Sequence, residues 1–214
     1  ASELLAFERD AWRAGYARAA GVDEVGRGSL AGPVVACAVV LAAEEPPPRG
    51  LMDSKQLTPG RREELAAALH ECPGASIGLG IVEPADIDRL NILRATHLAM
   101  QHALAALTPP ADYILMDGRP VPGLPAPSTA IVRGDGRSAS IAAASIVAKV
   151  TRDAIMVRLS KTYPGYGFEA HKGYGTRQHL AALREFGPCA VHRQSFSPVR
   201  DCTPGAKRQR TLDL

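Results

Sequence analysis

Two adjacent carboxylates, Asp23 and Glu24, sit between the approach Gly21-Val22 and a Gly26-Arg27-Gly28 turn, which runs on through Ser29-Leu30-Ala31-Gly32-Pro33 into an apolar stretch at residues 34–41. Ionised groups side by side repel each other and lose hydration if buried, so they persist together mainly where a cation offsets them. Glycines on both sides of Arg27 let the backbone come within hydrogen-bonding distance of a ligand, while the guanidinium can grip a phosphate. Acids suited to a metal thus lie beside amides and an arginine suited to a polyanion. That pairing points to metal-assisted phosphoryl transfer on a nucleic acid.

Two further acids have the same setting. Asp117 ends the apolar run Tyr113-Ile114-Leu115-Met116, and Asp135 follows a strand pattern at residues 129–132. Carboxylates at the ends of neighbouring strands can converge on one cation although they are far apart in sequence. Each has a plainer reading: an exposed turn for Asp23, a strand-to-turn position for Asp117 before Gly118, and the entry to a helix for Asp135, three residues before Ser138. Glu24 raises a geometric question, because neighbouring strand residues point to opposite faces and both can serve one site only if the strand ends or bulges there.

Tyr174 lies between Gly173 and Gly175, a poor place for a packed side chain, so its ring is free to lie against a sugar or base. Lys55, in Asp53-Ser54-Lys55, is placed as a phosphate contact. His171 and Lys172 read as phosphate contacts or as a solvated loop, and His192 with Arg193 as substrate contacts or as ties for the C-terminal segment. Asp153 reads as the ion-pair partner of Arg152 or Lys149. The run Ala142-Ala143-Ala144-Ser145 reads as close helix-on-sheet packing without chemistry, Tyr163 and Tyr166 as packing residues, and His70, His97, His102 and His179 as structural.

The elements that must hold these residues are legible in outline. The chain has 214 residues, 46% of them hydrophobic and 22% charged, enough for a core in one body. The expected organisation is a single catalytic domain over residues 1–200 with a flexible basic tail at 201–214. Net charge is only +3, so any nucleic-acid footprint must be local. The four cysteines show no C-x-x-C spacing, and Cys37 falls in an apolar strand pattern, so neither a disulfide framework nor a zinc site is expected. No apolar run approaches the ~20 residues of a membrane helix, and the acidic N-terminus matches no targeting peptide, so the expected location is the cytoplasm. Apolar spacing predicts an N-terminal helix, then strand, strand, helix, strand, a long helical region broken near Asn91, two more strands and a helix over residues 138–159. Pattern alone therefore gives an α/β fold with a mixed sheet.

The wording of DEVGRGSLAGPVV resembles the type 2 ribonuclease H family. Agreeing segments follow in order: Asp53-Ser54-Lys55-Gln56-Leu57, Met116-Asp117-Gly118, Arg133-Gly134-Asp135 with the AASIVAKVTRD block ending at Asp153, His171-Lys172-Gly173-Tyr174-Gly175-Thr176, and His192-Arg193-Gln194-Ser195-Phe196. Together they span nearly the whole chain, and an ordered set of this kind is far more specific than any one pair. The resemblance implies a ribonuclease H-like mixed five-stranded sheet flanked by helices, with a helical C-terminal extension. It implies an endoribonuclease that cuts the RNA strand of RNA–DNA hybrids and single ribonucleotides in duplex DNA, leaving 5′-phosphate and 3′-hydroxyl ends. It makes Asp23, Glu24, Asp117 and Asp135 the ligands of two Mg²⁺ or Mn²⁺ ions, and Gly26, Arg27 and Gly28 the readers of the ribose 2′-hydroxyl. The alternative is a non-catalytic hybrid-binding module on the same fold, which would have little use for four acids facing a polyanion.

The tail closes on Gln209-Arg210-Thr211-Leu212-Asp213-Leu214, which resembles peptides that dock on the bacterial sliding clamp. A clamp is thus a candidate partner, with a frayed basic terminus as the plain reading.

Overall fold

The computed structural model describes residues 4–45, 47–52 and 54–202. Five strands form one mixed sheet: β1 (Ala19–Val25), β2 (Val34–Leu41), β3 (Ala75–Val82), β4 (Tyr113–Asp117) and β5 (Ser128–Ile131). Their order is β3-β2-β1-β4-β5. β2 runs antiparallel to β1 and β3, whereas β4 is parallel to both β1 and β5. The parallel pairing of β1 with β4 sets Val22 beside Met116, so Asp23 and Asp117 leave the sheet at the same level.

The continuous apolar run of β2 marks a strand covered on both faces, as the buried row from Val34 to Leu41 bears out. On one face Val34, Ala36, Ala38 and Val40 pack with β1, β4 and helix α4 (Ile92–Ala105). On the other, Val35, Cys37, Val39 and Leu41 meet α2 (Pro59–Glu71) and α5 (Ala139–Thr162). α2 starts where Thr58 accepts from the Arg61 amide with Pro59 in its first turn. The long helical region does break at Asn91: α3 (Pro84–Leu90) stops there at φ 71°, and the Asn91 side chain caps α4 through the amides of Leu93 and Arg94.

Small residues bring α5 onto the sheet. Ala142, Ala143 and Ala144 are fully buried, and a Cβ on Gly21 would lie 2.1 Å from the Ser140 carbonyl carbon. Any side chain at residue 21 would therefore lift α5 off β1. Helix α1 (Ala6–Arg13) fixes the start of α5 through Glu8, wholly buried, whose Oε1 accepts from Ser138 Oγ at 2.5 Å, Ser140 N at 2.9 Å and Ser140 Oγ at 2.6 Å. A carboxylate at a helix N-terminus is favoured by the helix dipole and satisfies amides that the helix leaves open.

Among the described residues the C-terminal extension holds three short helices, α6 (Phe168–His171), α7 (Arg177–Phe186) and α8 (Ser197–Arg200). Tyr166, Phe168 and Ala182 pack on Met156 of α5, and Asp88 of α3 accepts from the amides of Gln194 and Ser195. No helix among the described residues is long and apolar enough to cross a membrane. Residues 203–214, where the clamp-like peptide falls, lie outside the described residues.

Candidate active site

Asp23 lies two residues before the end of β1, on the α5 face, and is 7% exposed; Asp117 ends β4; Asp135 sits in a short 3-10 turn (Gly134–Gly136) behind β5 and is 5% exposed. A cavity of about 430 Å³ at this sheet end is lined by Asp23, Glu24, Lys55, Asp117, Ser145 and Tyr174, among others. Glu24 resolves the question of faces by lining a second cavity as well, about 560 Å³ on the α4 side, with Arg27, His97, Asp117 and Arg119. β1 ends at Val25, so its last carboxylates lie at the end of the sheet, on opposite faces.

Local donors hold the acids apart. Glu24 Oε1 accepts from Arg27 at 3.0 Å, Asp135 Oδ2 from Lys55 Nζ at 3.0 Å, and Asp117 Oδ1 from the Gly134 amide at 2.6 Å. Among the described residues no three His, Cys, Asp or Glu side chains are gathered closely enough to ligate one ion as they stand. In both ion pairs the cation is the exposed partner, the Lys55 side chain at 80% against 7% for that of Asp135 and the Arg27 side chain at 51% against 12% for that of Glu24, so either cation can swing into solvent. Lys55 thus reaches Asp135, where a phosphate contact was expected.

Burial first, then the charge of Glu24, push Asp23 up to about 8, with Asp117 adding to the rise and the neighbouring Ser145 hydroxyl opposing it. Asp117 is raised by burial and by Asp135, against the Gly134 amide. Packed acids whose ionised forms are this costly, offering carboxylate oxygens alone as ligands, fit a hard divalent ion.

The turn after β1 is held by two buried arginines. Arg193 donates to the carbonyls of Gly26 (2.7 Å), Arg27 (2.9 Å) and Gly32 (2.9 and 3.0 Å), and Arg152 to those of Ala31, Pro33 and Lys172. Gly26 has φ +92°, and a Cβ there would fall 2.1 Å from Arg152 Nε, so only glycine lets that guanidinium close under the turn. Arg193 therefore ties the extension to the turn, the second of its two readings. Tyr174 is 37% exposed, forms a bridge with Ser29, and has its ring 5.5 Å from the Arg152 guanidinium carbon. His171 is a structural residue, its Nε2 donating to the Tyr166 carbonyl, and Lys149 is the partner of Asp153 at 2.8 Å.

Ser145 corrects the reading of its segment as packing alone: it bonds Ser54 at 2.9 Å and lines the cavity beside Asp23. Arg62 and Lys149 line the cavity too and were not singled out. Arg62 bonds the carbonyls of Ser54 and Leu57, contacts that nothing in its own segment announces. One helical turn separates Ser145 from Lys149, and that spacing was the available signal for both.

A five-stranded mixed sheet whose acids collect at the ends of β1, β4 and the turn after β5 defines a ribonuclease H-like nuclease. The family model for Ribonuclease HII matches residues 20–199. A Ribonuclease HII of Rhodospirillum rubrum is 57% identical over 192 residues, covering 88% of each chain. Among solved structures, the ribonuclease H2 from Pyrococcus horikoshii OT3 aligns with a TM-score of 0.74 at 26% identity, over 90% of this chain and 100% of that one. The RNase HII of Archaeoglobus fulgidus, solved in a complex with PCNA, aligns at 0.71 and 27% identity, over 91% of this chain and 98% of that one. The chain belongs to the ribonuclease HII family. It is a type 2 ribonuclease H, a divalent-metal-dependent endoribonuclease acting on the RNA strand of RNA–DNA hybrids.

Proposed function

We propose that Asp23, Glu24, Asp117 and Asp135 hold two Mg²⁺ or Mn²⁺ ions at the sheet end and that the Gly26-Arg27-Gly28 turn with Tyr174 reads the ribose at an RNA–DNA junction. The observation that carries this reading is the convergence of four acids at one end of the sheet, where burial first and the charge of Glu24 second raise Asp23 to about 8. When bound, such ions supply an activated water and charge stabilisation for the leaving 3′-oxygen. The protein's part is positional. Glu24 turns from Arg27 and Asp135 from Lys55 to present their oxygens, which frees both cations for phosphates of the substrate. Ser145 orients the Asp23 carboxyl from α5. The products carry 5′-phosphate and 3′-hydroxyl ends, and single embedded ribonucleotides are substrates alongside long hybrids.

Tyr174→Ala is the test of the recognition half. Its kcat/KM should fall by about tenfold or more on a duplex with one ribonucleotide, where one contact decides the register, and by less on a long hybrid. Equal losses on both would leave Tyr174 as a general positioning group that does not read the junction.

The PCNA complex of the Archaeoglobus relative supports a clamp as partner for this chain, reached through Gln209, Leu212 and Leu214 of the tail. A peptide of residues 206–214 titrated against the bacterial clamp should bind saturably and lose binding when Gln209 and Leu212 are alanine; binding that ignores those changes refutes the assignment. The cytoplasm remains the proposed location.

A further inference from the structure

Behind Tyr174, away from the acids, three imidazoles and a thiol are packed with Tyr166 and Phe168. His171 stacks on His179 with ring centroids 4.5 Å apart and 13° between planes. His179 Nε2 lies 3.0 Å from His192 Nε2, and neither ring reaches solvent, at 0% and 1% exposure. Two ring nitrogens at that distance make a hydrogen bond only if one carries a proton and the other does not.

The outer nitrogens decide which. His179 Nδ1 is 3.0 Å from the Tyr174 carbonyl oxygen, which can only accept, so that nitrogen is protonated. His192 Nδ1 accepts from the Cys189 amide at 3.0 Å, with the Cys189 thiol 3.1 Å away, so that nitrogen is bare. Two neutral rings then leave His192 Nε2–H to donate to His179 Nε2. Both ends require the same direction: Cys189 N–H to His192, His192 to His179, His179 to the Tyr174 carbonyl. Burial first, then neighbouring imidazoles, lower the pKa of both: His171 acts on His179, and His179 and His171 act on His192, which falls to about 4, consistent with two neutral rings at physiological pH.

The chain of bonds joins the two elements that the proposed function assigns to recognition. His192 precedes Arg193, whose guanidinium holds the carbonyls of Gly26 and Arg27. His192 also pairs with Ala31 in the same loop. At the other end His179 holds the backbone of Tyr174, while the bridge to Ser29 and the Arg152 guanidinium set its ring over the loop. We propose that His179 and His192 are positioning residues for substrate recognition, a one-directional imidazole relay that fixes Tyr174 at a set distance from the Gly26-Arg27-Gly28 turn. This rests on Tyr174 touching substrate, as proposed above. Neither histidine does so itself.

Two measurements test it. Two-bond ¹H–¹⁵N correlation spectra of the full chain at neutral pH with Mg²⁺ should show His179 protonated on Nδ1, the less common neutral tautomer, and His192 on Nε2; the reverse for either ring overturns the relay. Steady-state kinetics on a single-ribonucleotide duplex should show His179→Leu raising KM by about tenfold, the scale of one lost bond of ~1.4 kcal/mol, with kcat within about twofold. His179→Asn, whose amide can donate from the Nδ1 position, should recover most of that loss, and it is the variant to read should the leucine one not fold. Added to Tyr174→Ala, His179→Leu should cost nothing further. Additive losses, or an asparagine variant as poor as leucine, overturn the positioning role. A Tyr174→Ala variant with normal KM would instead refute the contact of Tyr174 with substrate, and the tautomers would still decide the relay.

Discussion

Asp23→Asn is expected to reduce turnover with Mg²⁺ by at least about 10³-fold, the scale of losing several kcal/mol of metal-borne charge stabilisation, while the protein still folds and still binds hybrid. Volume is kept and one ligand charge is lost. The same substitution should leave the metal-free melting temperature equal to that of the wild type or a few degrees higher. An amide at this buried position does not repel Glu24 and Asp117, whereas the carboxylate must either ionise at a cost or hold a proton up to about pH 8. Adding Mn²⁺ should raise the melting temperature of the wild type, because a ligand that binds only the folded state stabilises it, and should raise that of the variant less. Calorimetry with and without metal checks both statements. A variant that cuts at near wild-type rate would remove Asp23 from the chemistry, and one that melts far below the wild type without metal would make it a structural residue.

Arg193→Met should be the most destabilising single change near the site. The side chain is fully buried and is the donor to three carbonyls of the turn, so its loss leaves several acceptors without partners. Unsatisfied buried acceptors cost ~1–3 kcal/mol each, less whatever water recovers, which suggests about 3–5 kcal/mol and a fall in melting temperature on the order of 10 °C. Burial and the nearby Arg152 lower its pKa to about 9, so it stays charged at neutral pH, and a planar fork spreads that charge over carbonyls in different directions. Arg193→Lys should therefore rescue little. Urea unfolding of the three proteins decides the point, and a lysine variant as stable as wild type would mean that charge alone, without the fork, holds the turn.

The acids were legible because each ends an apolar strand pattern inside a specific string of residues, and the strands proved to lie where those patterns put them. The sheet order was not, since the step from β1 to β4 spans about ninety residues and no local period encodes it. What periodicity left out follows one rule: partners that are backbone atoms, or that lie far along the chain, leave no trace in spacing. Arg152 was read as a possible partner of Asp153 and Arg193 as a substrate contact or a tie for the C-terminal segment, but the carbonyls that each serves could not be read from spacing. Glu8 reads as one acid of the N-terminal segment, yet it is buried against the first turn of α5. His179 was rightly read as structural, but its partner stands thirteen residues on, and only the fold brings the two rings together. Ser145 was hidden by its neighbours, because an alanine run that packs so closely draws attention from the one hydroxyl that reaches the cavity.

Cleavage of three duplexes of one sequence, all-DNA, RNA–DNA hybrid and DNA with a single ribonucleotide, measured with Mg²⁺ and again with a chelator in excess, bears most directly on the carboxylates as a metal-dependent, ribose-reading catalytic site. The hybrid and the single-ribonucleotide duplex should be cut with Mg²⁺, leaving 3′-hydroxyl ends that a polymerase can extend, while the all-DNA duplex stays whole and the chelator abolishes cutting. Cutting of the all-DNA duplex at a comparable rate, or cutting that survives the chelator, would contradict that assignment.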